Sequence, residues 1–352
     1  MNALEALFYG IILLITTVFI CSTPAAPGSN PMVVDIDADM KDRRGPTDGL
    51  STDHSGSKLL GIDSIPDVCV SVALNVSHNR ILDMTPVLCA EELESLDLSS
   101  NLLTEICDIS RLHALTKFDC SFNQISRISS KMLPDTLKYL DVSYNRITDI
   151  NHLSTLTNLI HLNVSGNPIQ NSDWPFSLPQ GLQSLKADKA HLAEDQLRNL
   201  PPSIWFLSLA RNDLSDTSFL ATSIHLKKLN LAENELTDIS ELGFCYELEY
   251  LDISGNQITD LSPLSSCTRL RVLIATNNRV QSMQPLTNLS NLRYLQLDSN
   301  SLVSLNGIDK LVHQSQKIDI FVARNQIGEK EITKAQKTVS GSPVRLFVSF
   351  SR

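Results

Sequence analysis

The sequence predicts an α/β solenoid, an arc with a parallel concave β-sheet on one side and short helical or irregular convex legs on the other. Three observations predict it. Asparagine recurs on a fixed beat, at Asn79, Asn101, Asn123, Asn145, Asn167, Asn212, Asn234, Asn256, Asn278 and Asn300, with 22 residues per step. Only Asn167 to Asn212 spans two steps, with Ala190 where an Asn would fall, and a longer step then reaches Asn325. Around each Asn the same apolar frame returns, as in Leu93-x-x-Leu96-x-Leu98-x-x-Asn101-x-Leu103 and Leu248-x-x-Leu251-x-Ile253-x-x-Asn256-x-Ile258. Finally, the frame alternates, so its leucines share one face of a short strand. A unit this small buries them only by stacking on its neighbours.

Each element follows from that stack. The strands of successive repeats lie side by side, about 4.8 Å apart. The Asn after each strand turns inward, where its two donors and one acceptor must be met by backbone groups of its own turn and the next repeat. The return leg is short: Asn256 to Leu273 leaves no room for a long helix, and Pro263 suits the first turn of a brief helical piece. This is the leucine-rich repeat pattern. Over residues 68–327, in about 12 copies, it resembles the 22-residue repeats of bacterial internalins and of the leucine-rich regulatory subunit of protein phosphatase 1. Three legs, Leu133-Pro134, Leu178-Pro179 and Leu200-Pro201, look more like the Leu-Pro repeats of secreted bacterial effectors. The resemblance implies a binding scaffold and leaves the partner open.

Outside the repeats, Ala6–Cys21 is an apolar run followed by Ser-Thr-Pro-Ala-Ala, which reads as a signal peptide over 1–26 cleaved near Ala25 or Ala26. An uncleaved run would instead tether the chain to a membrane. Residues 27–67, rich in Pro, Gly, Ser and Asp, read as a disordered acidic linker. Residues 328–352 form a C-terminal cap, with Val344–Phe350 as a closing strand over the open end. The formal net charge of −10 argues against nucleic acid or an anionic membrane surface and favours a neutral or basic protein partner.

Six cysteines follow the leader, an even number that permits disulfides. Cys120 falls on an inward strand position. Cys245 and Cys267 occupy equivalent positions of adjacent legs and read either as a disulfide or as buried thiols packed like Leu. Cys69 and Cys89 bracket the first repeat, where they either staple the N-terminal end or stay free. Three sequons occur, at Asn75, Asn163 and Asn288. Asn288 lies on a return leg, whereas Asn75 and Asn163 alternate with the leucines and face the open sheet.

Recognition in such a fold resides in residues that alternate with the leucines. Two columns run along the sheet, one through Lys117, Tyr139, His161, Ser184, Phe206, Lys228, Tyr250 and Tyr294, the other through Asp97, Asp119, Asp141, Asn163 and Lys186. Exposed aromatics flanked by charge are the usual anchors of interfaces. Phe122, Tyr139 and Tyr144 with Asp119 and Asp141 make one candidate patch, and Trp205, Phe206, Tyr250 and Tyr294 a second. The competing reading is cross-strand packing without a partner. The repeat around Ala187 and Ala190 is either a charged recognition point, with Lys186, Asp188 and Lys189, or a degenerate copy.

No catalytic motif is present. Asp35-Ile-Asp37-Ala-Asp39 lacks the Gly and Glu of a calcium loop, and the histidines show no metal spacing. The expectation is a secreted, non-enzymatic protein-binding module with no cofactor or metal. Its rivals are an intracellular regulator that holds an enzyme on its concave face, and a membrane-tethered adhesion protein.

Overall fold

The computed structural model describes residues 50–169, 177–312 and 317–348. The proposed leader and the first part of the linker lie outside these residues. The strands β1 (Leu50–Asp53), β2 (Ser71–Asn75), β3 (Ser95–Asp97), β4 (Lys117–Asp119), β5 (Tyr139–Asp141), β6 (His161–Asn163) and β7 (Ser184–Lys186) open one sheet. It continues through β8 (Phe206–Ser208), β9 (Lys228–Asn230), β10 (Tyr250–Asp252), β11 (Val272–Ile274), β12 (Tyr294–Gln296), β13 (Ile318–Phe321) and β14 (Val344–Phe347). All 14 lie in sequence order in a single parallel sheet. Short 3₁₀ turns, such as Ser240–Phe244 and Ser262–Ser266, form the return legs. Pro86, Pro263 and Pro285 stand in the first turns of their legs, where a missing N–H costs nothing.

The leucines of the frame form one continuous core, with Leu96, Leu98, Leu140, Leu229, Leu251 and Leu273 fully buried. Between its layers runs the Asn ladder. Asn256 donates through Nδ2 to the carbonyls of Ile253 (3.0 Å) and Leu231 (3.0 Å), and its Oδ1 accepts from the Leu236 N–H (3.0 Å). Asn101, Asn123, Asn145, Asn278 and Asn300 repeat the arrangement. The neighbour bound is the preceding repeat rather than the following one. The residue before each ladder Asn takes a left-handed backbone, at φ from 52° to 66°, which turns the chain out of the strand and aims the Asn inward.

Residues 50–67 differ from the linker reading. Strand β1 pairs with β2, Ile62 is fully buried, and Asn79 binds the His54 carbonyl (2.9 Å) and the Leu59 N–H (2.9 Å). They form a partial first repeat, held by backbone pairing and by Ile62 and Ile65 in the core. Cys69 and Cys89 form a disulfide beside it, with Cα atoms 4.8 Å apart. Cys120, Cys245 and Cys267 are buried free thiols, so the alternative of a Cys245–Cys267 bridge is not adopted. At the far end, α1 (Ile308–Val312) and α2 (Glu329–Val339) replace the 3₁₀ legs. The second helix buries Ile332 and Ala335, and β14 closes the sheet on β13. Among the described residues no helix is long and apolar enough to cross a membrane.

Candidate binding face of the sheet

The strand residues between the leucines form parallel columns because neighbouring strands pair in fixed register: Asp97 beside Asp119, Asp119 beside Asp141, and Asp141 beside Asn163. Each aspartate uses one oxygen to accept the N–H and hydroxyl of the serine two residues on. Asp119 thus binds Ser121 (2.9 and 2.7 Å) and Asp141 binds Ser143 (2.9 and 2.6 Å). The second oxygen of Asp141 accepts from Asn163 Nδ2 (2.8 Å) and from the Tyr139 hydroxyl (3.4 Å). Burial, then the neighbouring Asp141 carboxylate, pushes Asp119 up to about 7. Burial also raises Asp141. On the other flank, Lys117 Nζ stands 5.4 Å over the Tyr139 ring, which is tilted against His161 at 6.4 Å. Desolvation holds His161 below its ordinary pKa, favouring the neutral imidazole.

Phe122 and Tyr144 extend this patch. Both occupy the left-handed position before a ladder Asn, with φ of 53° and 52°. They are 49% and 42% exposed, and their rings stack at 4.4 Å within 10° of parallel. The equivalent residue of the next repeat is Gly166, where a Cβ would meet the Tyr144 ring at 2.7 Å. The missing side chain gives the tyrosine its place. Left-handed backbone is costly for bulky side chains, so two adjacent aromatics there are poorly explained by the turn alone.

The second patch is less open than its sequence suggests. Phe206 is only 1% exposed, which corrects the expectation of an open-face aromatic. Its registered neighbours are small, buried Ser184 on one side and Lys228 on the other. Buried Ser208 follows two residues on in its own strand, and the Trp205 ring is tilted against it at 6.1 Å. A phenyl ring given such room buries apolar surface by closing on its neighbour. Lys228 Nζ stands 5.9 Å over the indole. Tyr250 and Tyr294 are half-buried; desolvation raises both hydroxyls, Tyr294 to about 12. Asp141 also departs from the open-face expectation, at 8% exposed, because its carboxylate is hydrogen-bonded on both oxygens.

Two features escaped the sequence reading. Tyr294, Phe321 and Phe347 form an aromatic ladder on the last three strands, with ring separations of 5.2 and 4.5 Å, and Arg345 beside it pairs with Asp319. Irregular spacing after Asn300 hid its register. Asp188 replaces the usual serine and accepts from Ser208 Oγ (2.7 Å) and the Ala210 N–H (2.7 Å). The sequence alone places it only in a charged cluster with Lys186 and Lys189.

Comparisons with known proteins agree with this geometry. A family model for leucine-rich repeats matches residues 135–176, 224–266 and 246–288. A comparison with curated proteins returns no significant match. Among solved structures, an internalin (InlF) of Listeria monocytogenes superposes with a TM-score of 0.67 at 22% identity, over 81% of this chain and 82% of that one. A leucine-rich repeat protein of Leptospira interrogans gives 0.59 at 23%, over 78% and 71%. The ectodomain of a membrane receptor kinase of Arabidopsis thaliana, in complex with Casparian strip integrity factor 2, gives 0.60 at 22%, over 80% of this chain and 35% of that one.

Proposed function

Since the chain is a leucine-rich repeat protein similar to internalins, we propose that it is a secreted, non-enzymatic binding module for a neutral or basic protein. The Phe122–Tyr144 stack carries this reading: two large apolar rings, half open to solvent, held on left-handed backbone beside the Asp97–Asp119–Asp141 column. The aromatic pair supplies area, and the carboxylates favour a cationic neighbour over an acidic one. Tyr139 and Lys117 bound the patch on the other side. Trp205, Tyr250 and Tyr294 extend the surface towards the C-terminal repeats, while Phe206 serves as packing. A neighbouring precedent for a bound partner is the plant ectodomain in its complex.

The Cys69–Cys89 disulfide supports an oxidising compartment and so favours secretion over the rival of an intracellular enzyme regulator. A tethered form would arise if the leader stays attached. The test is a pull-down from the medium of the source cells with the mature chain as bait. Phe122→Ala with Tyr144→Ala is expected to lose the captured partner by at least about tenfold, the cost of one or two interface hot spots. The melting temperature should stay near that of the parent. Undiminished capture by the double variant would move the site away from this patch.

A further inference from the structure

The three sequons are structurally unequal, and we infer that Asn288 is the acceptor of an N-linked glycan while Asn75 and Asn163 belong to the scaffold and stay bare. This rests on the secretion reading above, since only a chain entering the secretory route meets the glycosylation machinery.

Asn75-Val-Ser77 and Asn163-Val-Ser165 occupy the same register as Asp97-Leu-Ser99, Asp119-Cys-Ser121, Asp141-Val-Ser143 and Asp252-Ile-Ser254. In the aspartate copies the side chain accepts the N–H of the serine two residues on. Asn75 and Asn163 do the same, with Oδ1 accepting from Ser77 N (3.0 Å) and Ser165 N (3.1 Å). Asn230 makes this contact with Ala232 in a repeat that has no sequon at all. The N-x-S spelling in the strand column is therefore a variant of D-x-S imposed by the turn, and its serines, Ser77 and Ser165, are buried.

Asn163 is further committed. Its Nδ2 donates to Asp141, and Ser165 Oγ accepts from the Asp188 N–H (3.1 Å). A sugar on Nδ2 would stand half-buried between Asp141 and Lys186, on strands about 4.8 Å to either side. Transfer precedes folding, so a chain loaded there must still close β6 against both neighbours. Asn288 meets none of these demands. It ends the 3₁₀ turn Gln284–Asn288 on the return leg, and both Asn288 and Ser290 are exposed. The buried Leu286 and Leu289 on either side anchor the leg without using the amide.

The co-reactant is a lipid-pyrophosphate-linked oligosaccharide. The bond from Asn288 Nδ2 to the first sugar carbon forms as the amide loses a proton. The bond from that carbon to the pyrophosphate breaks, and the lipid pyrophosphate leaves with the electron pair.

The deciding experiment translates the full chain with microsomes and also secretes it from a eukaryotic host. Amidase deglycosylation in heavy-oxygen water then marks each occupied Asn for peptide mapping. The expected result is label at Asn288 alone, and complete loss of the glycan mass in Asn288→Gln with an unchanged melting temperature. Label at Asn75 or Asn163 in the secreted protein overturns the inference. So does an unmodified Asn288 in chains that protease protection shows to be inside the microsomes. Chains that stay outside count against the secretion reading instead; a foreign cleavable leader placed before residue 27 then lets the same mapping decide the acceptor.

Discussion

The rung at Asn256 and the rung at Ala190 perform the same task with different chemistry. At Asn256 one side chain ties three backbone groups together: Nδ2 reaches Ile253 and Leu231, and Oδ1 takes the Leu236 N–H. At Ala190 the side chain contributes nothing, and Ile169 N finds the Ala190 carbonyl (3.2 Å) and its own Asn167 carbonyl (2.9 Å) instead. The following rung binds this one as Asn234 binds the rung at Asn212: Asn212 Oδ1 accepts both the Ala190 N–H (3.0 Å) and the Leu192 N–H (3.1 Å). Asp188 adds a bond to Ala210. The difference teaches that the fold needs each buried backbone group satisfied, not an Asn at each step.

The largest effect is expected where one side chain does the most. Asn256→Ala would strand the Leu236 N–H and leave the Leu231 carbonyl only its Asn234 donor, at a cost of roughly 1–3 kcal/mol from the buried group left unpaired. A urea denaturation midpoint matching that of the parent would dismiss the side chain as a structural tie. In the lapsed repeat the corresponding weak point is Asp188. Asp188→Ala is expected to cost about 1–2 kcal/mol, because it removes the acceptor of the Ala210 N–H and the Ser208 hydroxyl. The two measurements together show whether the substitute network is as strong as a regular rung.

The reverse experiment is smaller. Ala190 lies between left-handed Lys189 and His191, just as Asn212 lies between left-handed Arg211 and Asp213. The backbone there already accommodates an Asn one repeat later. Ala190→Asn is therefore expected to raise stability by about 0.5–1 kcal/mol, the net value of a hydrogen bond won in a site whose backbone is already satisfied. A lower midpoint would mean that the 23-residue spacing between β6 and β7 leaves the amide no partner.

Much of this was legible in the chain. The Asn beat gave the register, and the register assigned Leu96, Leu251 and Cys120 to the core and Phe122 and Tyr144 to the open face. What stayed hidden has physical causes. Residues 50–67 join the sheet by pairing β1 with β2 and meet the Asn79 side chain through the His54 carbonyl and the Leu59 N–H, and such backbone contacts leave no mark on composition. Phe206 occupies an open-face column, but its exposure depends on the sizes of Ser184, Trp205 and Ser208 around it, which spacing does not encode. The Tyr294–Phe321–Phe347 ladder needed the register of β13 and β14, past the point where the 22-residue beat ends.

The regular and lapsed regions also differ in charge. Along β3, β4 and β5 three carboxylates stand in adjacent registered positions, whereas the column then passes to Asn163 and Lys186. Asp119 sits in the middle of the crowded run and titrates near 7, through burial first and the Asp141 charge second. Its folded pKa lies above the unfolded value of 3.8, so between pH 4 and pH 7 the folded state binds more protons than the unfolded one. Stability therefore falls as pH rises through that window. Asp119→Asn removes the charge and keeps an oxygen for the Ser121 N–H, as Asn163 does for Ser165. Above pH 7 the variant is expected to be more stable than the parent by up to about 1 kcal/mol, the scale of one unfavourable like-charge pair on neighbouring strands. Below pH 4, where Asp119 is neutral in both states, the gain should vanish. A gain independent of pH would assign the effect to packing, and the acidic column would lose its claim to electrostatic strain.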